Sequence, residues 1–179
     1  TQWGVDSDQL APADYDGDGK TDIAVWRPDA PNQAAFYILQ SQTNTLRTEL
    51  FGQTGDSPKV VRDYDGDGKA DVSVYRAGLT PGSQSFFFYR GSLNNPSGNI
   101  TYVPWGTSGD TVTQGDYDGD GKTDPAIYRP STGEWYILRS SSSYTTSLVI
   151  QWGLSSDTPV ASDYDGDGKT DLAVFRPAT

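Results

Sequence analysis

One nine-residue segment occurs four times in this chain and constrains its fold more than any other feature. The first copy reads Asp14-Tyr-Asp-Gly-Asp-Gly-Lys-Thr-Asp22, and the only variation among the copies is Ala70 in place of the threonine. We call these segments loops 1 to 4, and they span residues 14–22, 63–71, 116–124 and 163–171. A chain that repeats one segment in this way is built from repeated structural units.

Each loop places carboxylates at positions 1, 3, 5 and 9 and glycines at positions 4 and 6. The first six positions match the start of an EF-hand loop, in which the glycine at position 6 permits a sharp turn and position 7 supplies a main-chain carbonyl. Such hard oxygen ligands, in a chain without His or Cys, predict about four Ca²⁺ ions, one per repeat. The predicted ligands are Asp14, Asp16, Asp18, Lys20, Asp22, Asp63, Asp65, Asp67, Lys69, Asp71, Asp116, Asp118, Asp120, Lys122, Asp124, Asp163, Asp165, Asp167, Lys169 and Asp171.

The residues that follow each loop exclude a true EF-hand. Position 12, which is a bidentate Glu in an EF-hand, is Val25, Val74, Ile127 or Val174. The segments around these positions are short and rich in β-branched and aromatic residues, which is typical of strands. Each loop is therefore predicted to join two strands.

The loops begin 49, 53 and 47 residues apart, a period typical of propellers and repeat arrays. An aromatic-Gly pair stands before each loop, an Asp follows five residues after the aromatic residue, and an Arg follows the strand after the loop. We expect this Asp and this Arg to form one structural ion pair per repeat. The pairs are Asp8 with Arg27, Asp56 with Arg76, Asp110 with Arg129, and Asp157 with Arg176.

Two further strands are predicted in each of the first three repeats. The first is aromatic, at Phe36–Leu39, Phe86–Tyr89 and Trp135–Leu138, and the second ends in the next aromatic-Gly pair. We count four antiparallel strands per repeat and no helix. In Ile23-Ala-Val-Trp26 both alternating faces are apolar, so both are expected to be covered by neighbours.

The combined pattern resembles the bacterial FG-GAP/VCBS repeat family along essentially the whole chain. The matching elements are Trp-Gly-x3-Asp-x-Pro, then Asp-Tyr-Asp-Gly-Asp-Gly-Lys-Thr-Asp-x-Ala-Val-x-Arg-Pro, then Gly-x-Trp-Tyr-Ile-Leu. The resemblance implies a calcium-binding all-β propeller of four-stranded antiparallel blades, related to the integrin α-subunit propeller. For residues 1–179 we expect a single domain of about four blades, the last one split between the termini.

Composition excludes several classes of function. Sixteen of the 24 acidic residues lie in the loops, and four divalent ions would bring the net charge from −11 to −3. Basic patches and nucleic-acid-binding motifs are absent, and no apolar run is long enough to insert into a membrane. Without His or Cys the chain cannot form a Ser-His-Asp triad, a Cys-His pair or a histidine-based zinc site, and we expect no enzymatic activity.

These features favour a non-enzymatic, secreted or cell-surface bacterial module that serves adhesion, scaffolding or self-assembly, with an extracellular glycan or a surface protein as partner. Two alternatives remain open: a propeller segment of a secreted, lyase-like polysaccharide-active enzyme, and a carbohydrate-binding lectin. The candidates for specificity are segments 79–85 and 92–98, which only the second repeat contains.

The split blade predicts an exposed sheet edge. The chain begins at Thr1-Gln-Trp-Gly4, the final residues of a fourth strand, and stops at Arg176-Pro-Ala-Thr179, just after a second strand. Two outcomes are open: the sequence is a segment of a larger protein, or a neighbouring copy completes the blade. We favour the second, because an unpaired edge is a template for another chain, and strand addition between copies would give head-to-tail oligomers, rings or fibres.

Overall fold

The computed structural model describes residues 3–29 and 33–178 and is built from β-strands, with no helix in this part of the chain. The predicted all-β class is therefore confirmed. Residues cluster into two compact units, one of Thr1–Arg76 with Phe88–Thr101 and the other of Ala77–Phe87 with Tyr102–Thr179. The prediction of a single domain over residues 1–179 stays a prediction.

The strands follow the repeats in chain order. Repeat 1 contains β1 (Gln9–Leu10), β2 (Ile23–Asp29), β3 (Gln33–Leu39) and β4 (Leu46–Leu50); repeat 2 contains β5 (Val72–Arg76), β6 (Gln84–Arg90) and β7 (Thr101–Thr107); repeat 3 contains β8 (Thr111–Val112), β9 (Ala126–Arg129), β10 (Glu134–Leu138) and β11 (Ser147–Gln151); repeat 4 contains β12 (Thr158–Pro159) and β13 (Val174–Phe175). Each loop joins two strands or bridged segments, as predicted.

Repeats 1 and 3 are four-stranded sheets with the orders β1-β2-β3-β4 and β8-β9-β10-β11, and their paired strands are antiparallel. In repeat 2, β5, β6 and β7 form a sheet in that order, and an isolated bridge between Ser57 and Tyr75 stands in place of the first strand. Repeat 4 is the two-stranded sheet β12-β13. The first strand of a repeat thus lies in the stretch between the repeated Asp and the loop.

Large aromatic side chains fill the repeats. Trp26 on β2 lies opposite Phe36 on β3, and Tyr128 on β9 lies opposite Trp135 on β10. Both tryptophans are fully buried, yet each indole N–H is satisfied, by the carbonyl oxygen of Phe51 at 3.0 Å and of Trp152 at 2.6 Å. Paired donors of this kind allow tryptophan to be buried without loss of hydrogen bonding.

The small residue Ala24 of the strand after loop 1 lies where two sheets pack together. Within the first unit, Ala24 and Trp26 belong to one buried cluster with Val72 and Val74 of β5. The prediction that both faces of β2 are covered is correct for Val25, which is buried, and wrong for the first residue of the strand. Ile23, which opens β2 directly after loop 1, is 57 % exposed.

The third strand of repeat 2, β6, contains the predicted Phe86–Tyr89, but the residue equivalent to Phe36 is Phe87 and not Phe86. Phe87 is buried like Phe36, and Phe88 lies under the guanidinium of Arg76 as Tyr37 lies under Arg27. Three consecutive phenylalanines made the register ambiguous in the sequence. The contact between Phe88 and Arg76 determines the register in the structure.

The predicted ion pair is present in all four repeats. The shortest nitrogen–oxygen distances are 2.7 Å for Asp8–Arg27, Asp56–Arg76 and Asp157–Arg176 and 2.8 Å for Asp110–Arg129. Each carboxylate also accepts a main-chain N–H from the residue three positions earlier, for example Val5 to Asp8 at 2.9 Å. The hydrogen bonds from Arg27 lower the pKa of Asp8, so the pair stays ionised and joins the turn before each first strand to the second strand.

Successive loops are joined within each unit. In the first unit, the N–H of Ala70 in loop 2 donates to the carbonyl of Asp14 in loop 1 at 2.7 Å, and the Lys69 stem lies across Gly17. In the second unit, Thr170 donates in the same way to Asp116 at 2.6 Å, and Lys169 lies across Gly119. The position-7 lysines of loops 2 and 4 therefore contact the preceding loop, a role that the sequence did not indicate.

We expect Lys69→Ala to lower the free energy of unfolding by about 1 kcal/mol, because it removes stem methylenes that pack on loop 1. Lys20→Ala is the matched control. The Lys20 side chain is 73 % exposed and, among the described residues, its ammonium pairs with Asp18 of its own loop alone, so the change should cost less than about 0.5 kcal/mol. Urea unfolding of both variants in calcium measures the difference. Equal losses would show that the contact with Gly17 contributes nothing.

Candidate metal sites

The tyrosine at position 2 attaches each loop to the strand before it. The hydroxyls of Tyr15, Tyr64 and Tyr164 donate to the carbonyl oxygen four residues upstream at 2.7 Å, and Tyr117 makes the same bond to Thr113. Burial raises the pKa of Tyr15 and Tyr64, which keeps these hydroxyls protonated as donors. The loop is thus held at its second residue.

The aspartate at position 1 closes the turn. In loop 1 the two carboxylate oxygens of Asp14 accept the N–H groups of Gly17 at 2.7 Å and Gly19 at 2.8 Å, and the other loops repeat both bonds. Both glycines have positive φ, +81° and +83°, a conformation that other residues rarely adopt. The Asp-x-x-Gly-x-Gly spacing is therefore required by the fold of the loop itself.

The aspartate at position 9 connects the loop to the end of the third strand. One oxygen of Asp22 accepts the N–H of Tyr15 at 2.9 Å, and the other accepts the N–H of Ser41 at 2.6 Å. Asp71 and Asp124 are bonded in the same way, to tyrosine and serine amides of their own repeats. All three carboxylates are almost fully buried. Position 9 is thus a structural residue as well as a predicted ligand.

The serine that follows the third strand is a site residue that sequence reasoning missed. Besides donating its amide to position 9, its hydroxyl donates to position 5 in two repeats, from Ser92 to Asp67 at 2.6 Å and from Ser140 to Asp120 at 3.0 Å. A signal was present in the sequence, because this serine stands five residues after the buried aromatic residue of the third strand in all three repeats. The one-residue register error in repeat 2 hid it.

The structure brings three carboxylates together in every loop, with one oxygen of each within 4.8 Å of the others. The groups are Asp14, Asp16 and Asp18; Asp63, Asp65 and Asp71; Asp116, Asp118 and Asp124; and Asp163, Asp165 and Asp171. The fourth predicted carboxylates, Asp22, Asp67, Asp120 and Asp167, lie outside these groups. The role of the lysine carbonyls stays a prediction.

Two buried oxygens indicate that these groups fit a cation. Oδ1 of Asp65 and Oδ1 of Asp118 are buried and accept no hydrogen bond from the described residues. Such an atom costs about 1–3 kcal/mol unless an ion or a water satisfies it. Both atoms belong to position 3, so loops 2 and 3 each have an unused oxygen within the carboxylate group.

The raised pKa values of two aspartates in loops 2 and 3 also indicate that these loops favour a bound cation. Burial, reinforced by the neighbouring Asp65 and Asp63, raises the pKa of Asp71 to about 7. Burial and the nearby Asp118 likewise raise the pKa of Asp124. The protein alone therefore leaves negative charge uncompensated in these loops, and a bound divalent cation would compensate it.

The fold and the loops define a class: an all-β repeat protein with one acidic loop per repeat. The model of the FG-GAP-like repeat matches residues 14–74 and 116–174, about two-thirds of the chain. The chain therefore belongs to the FG-GAP-like repeat family. No curated protein and no solved structure matched it.

We expect Asp65→Asn to have opposite effects with and without calcium. The amide keeps the shape of the side chain and can still accept the N–H of Leu93, which lies 2.7 Å from Asp65 Oδ2, but it removes one negative charge. Calcium affinity of loop 2 should fall roughly tenfold, whereas stability in EGTA should be unchanged or higher because repulsion is reduced.

Isothermal titration and thermal melting of Asp65→Asn measure these two effects. Asp6→Asn is the matched control, since Asp6 is exposed and lies outside the loops. Equal calcium affinity in both variants would remove Asp65 from the ligand set.

Proposed function

We propose that this chain is a calcium-stabilised, non-enzymatic repeat module, whose repeats are blades of a β-propeller. The observation that carries the proposal is the convergence of three carboxylates in each of four loops, with a buried oxygen left unbonded in loops 2 and 3. The repeated contacts support the propeller, because the ion pairs join the turn before each first strand to the second strand and the loop contacts join successive repeats within each unit.

Calcium is the cation that this donor set favours. The donors are carboxylate oxygens in glycine-rich loops, and Ca²⁺ accepts many oxygen ligands in flexible geometry, whereas Mg²⁺ requires a stricter octahedron and retains its waters. When bound, the ion would supply positive charge that offsets carboxylate repulsion and fixes the loop. The residues that would hold it are the clustered aspartates at positions 1 and 3, together with position 5 or position 9.

An extracellular role in adhesion or scaffolding is part of the proposal. Extracellular calcium modules bind at roughly 10⁻⁴–10⁻³ M, a range in which the abundant calcium outside cells keeps them folded. The aspartates and arginines repeated in every unit are used in structural contacts, which supports a binding module over an enzyme. The described residues form no helix that could cross a membrane.

A carbohydrate-binding role is the second candidate, and one cleft in the second unit favours it. The cleft measures about 240 Å³ and is lined by Trp105, Arg129, Tyr136 and Gln84, among others. Aromatic faces beside a few hydrogen-bonding groups are typical of small-ligand sites. Glycan-array binding that is lost in Trp105→Ala would favour this role.

We expect removal of calcium to destabilise the protein strongly. Saturation at 100 times the dissociation constant adds about 2.7 kcal/mol per independent site, which corresponds to a melting shift of about 5–10 °C for each site that the transition senses. Thermal melting in calcium and in EGTA measures it, with Mg²⁺ at the same concentration as the control for ionic strength. Identical melting curves in calcium and EGTA would contradict the proposal.

A further inference from the structure

In repeat 2, two consecutive residues after the third strand donate hydrogen bonds to three of the four carboxylates of loop 2. The N–H of Ser92 donates to Oδ1 of Asp71 at 2.9 Å, and its hydroxyl donates to Oδ2 of Asp67 at 2.6 Å. The N–H of Leu93 donates to Oδ2 of Asp65 at 2.7 Å. The chain that leaves β6 therefore lies directly against positions 3, 5 and 9 of the loop.

The residue before the linked serine permits this close approach in repeat 2. It is Gly91, and a Cβ atom there would lie 2.5 Å from Oδ2 of Asp65, closer than an ordinary contact allows. The same place holds Gln40 in repeat 1 and Arg139 in repeat 3. Segment 92–98, which only the second repeat contains, thus begins with residues that bind to the metal loop.

Loop 1 offers an internal comparison, because it has the same two amide bonds without the hydroxyl bond. The N–H of Ser41 donates to Asp22 at 2.6 Å, and the N–H of Gln42 donates to the aspartate at position 3 at 3.1 Å. The hydroxyl of Ser41 is buried and makes no hydrogen bond with a described residue. The carboxylate at position 5, Asp18, is paired at 3.3 Å with Lys20, whose side chain is 73 % exposed.

The hydroxyl contact recurs in loop 3. The Ser140 hydroxyl lies 3.0 Å from an oxygen of Asp120 and 2.7 Å from an oxygen of Asp124, so that one side chain links position 5 to position 9. In loops 2 and 3 the position-5 aspartates, Asp67 and Asp120, lie outside the groups of three carboxylates. The serine therefore connects the fourth predicted carboxylate to the other three.

We propose that the Ser92 hydroxyl is a positioning group for the cation of loop 2, because it holds Asp67 beside the three grouped carboxylates as a fourth acidic ligand. A hydrogen bond from a hydroxyl to a carboxylate is short and charge-assisted. It restricts Asp67 before an ion arrives, so less conformational freedom is lost when the ion binds. The inference rests on the proposed calcium role and deepens it, since it makes loop 2 a tighter site than loop 1.

The same bond makes loop 2 more selective for the size of the ion. Mg²⁺ binds oxygen ligands at about 2.0–2.1 Å and Ca²⁺ at about 2.3–2.6 Å, so a loop must contract further around Mg²⁺. Hydrogen bonds that hold positions 3, 5 and 9 from outside resist this contraction. Loop 1 lacks the serine bond at position 5 and should discriminate less between the two ions.

Nuclear magnetic resonance of the full chain tests the proposal loop by loop. The N–H groups of Gly68 in loop 2 and Gly19 in loop 1 each donate to the aspartate at position 1 at 2.8 Å, so their amide signals report on the two loops separately. In Ser92→Ala the calcium dissociation constant at Gly68 should rise roughly tenfold, with little change at Gly19. Ser92→Thr keeps a hydroxyl and should retain the affinity of the unchanged chain.

Ser41→Ala is the matched control, because the hydroxyl that it removes makes no hydrogen bond with a described residue, and it should change neither signal. A magnesium titration adds a measurement that a general loss of stability would not move. The ratio of the magnesium to the calcium dissociation constant at Gly68 should fall in Ser92→Ala and stay unchanged in Ser92→Thr. The amide spectrum itself shows that each variant is folded.

An unchanged calcium constant at Gly68 in Ser92→Ala would overturn the proposal. An equal loss in Ser92→Thr or in Ser41→Ala would also overturn it, because the effect would not come from the hydroxyl bond to Asp67. An unchanged ratio of the two constants would overturn the selectivity. If neither glycine signal of the unchanged chain responded to calcium, the proposed calcium role itself would fail, so the two failures are distinguishable.

Discussion

The carboxylate at position 9 of the loop, which is buried in repeats 1 to 3, is the contact on which the rest of a repeat depends. In repeats 1 to 3 its two oxygens accept amides from opposite directions, one from the tyrosine at position 2 and one from the serine after the third strand. One side chain therefore bonds both to the start of its own loop and to the residue that follows the third strand. A charged group that is almost fully buried is tolerated only when it is bonded in this way.

The aspartates that hold the loops in place also destabilise them electrostatically, because buried carboxylates lie close to one another. Carboxylates that close turns and anchor strands are also buried and close together, and burial, reinforced by repulsion from Asp65 and Asp63, raises the pKa of Asp71 to about 7. A divalent cation offsets that cost without displacing the hydrogen bonds, since oxygens such as Oδ1 of Asp65 remain unused by the protein. Fold and metal binding are therefore expected to be coupled.

Much of a repeat was predictable because its sequence is periodic. The loops, the strands after them and the Asp–Arg pairs such as Asp56 with Arg76 follow from spacing alone. The register of Phe86–Phe88 could not be predicted, because three identical side chains do not show which of them is buried. The contact of Phe88 with Arg76 determines it. The contact of Lys69 with Gly17 also required the structure, because it joins residues of different repeats, and a pattern within one repeat does not show what lies beside it.

Hydrogen exchange measured with and without calcium tests the coupling of loop and metal most directly. We predict that calcium slows amide exchange in all four loops and also at the linked serines Ser41, Ser92 and Ser140, whereas an exposed turn outside the loops, such as residues 79–82, exchanges equally in both conditions. Equal exchange in the loops with and without calcium would contradict it.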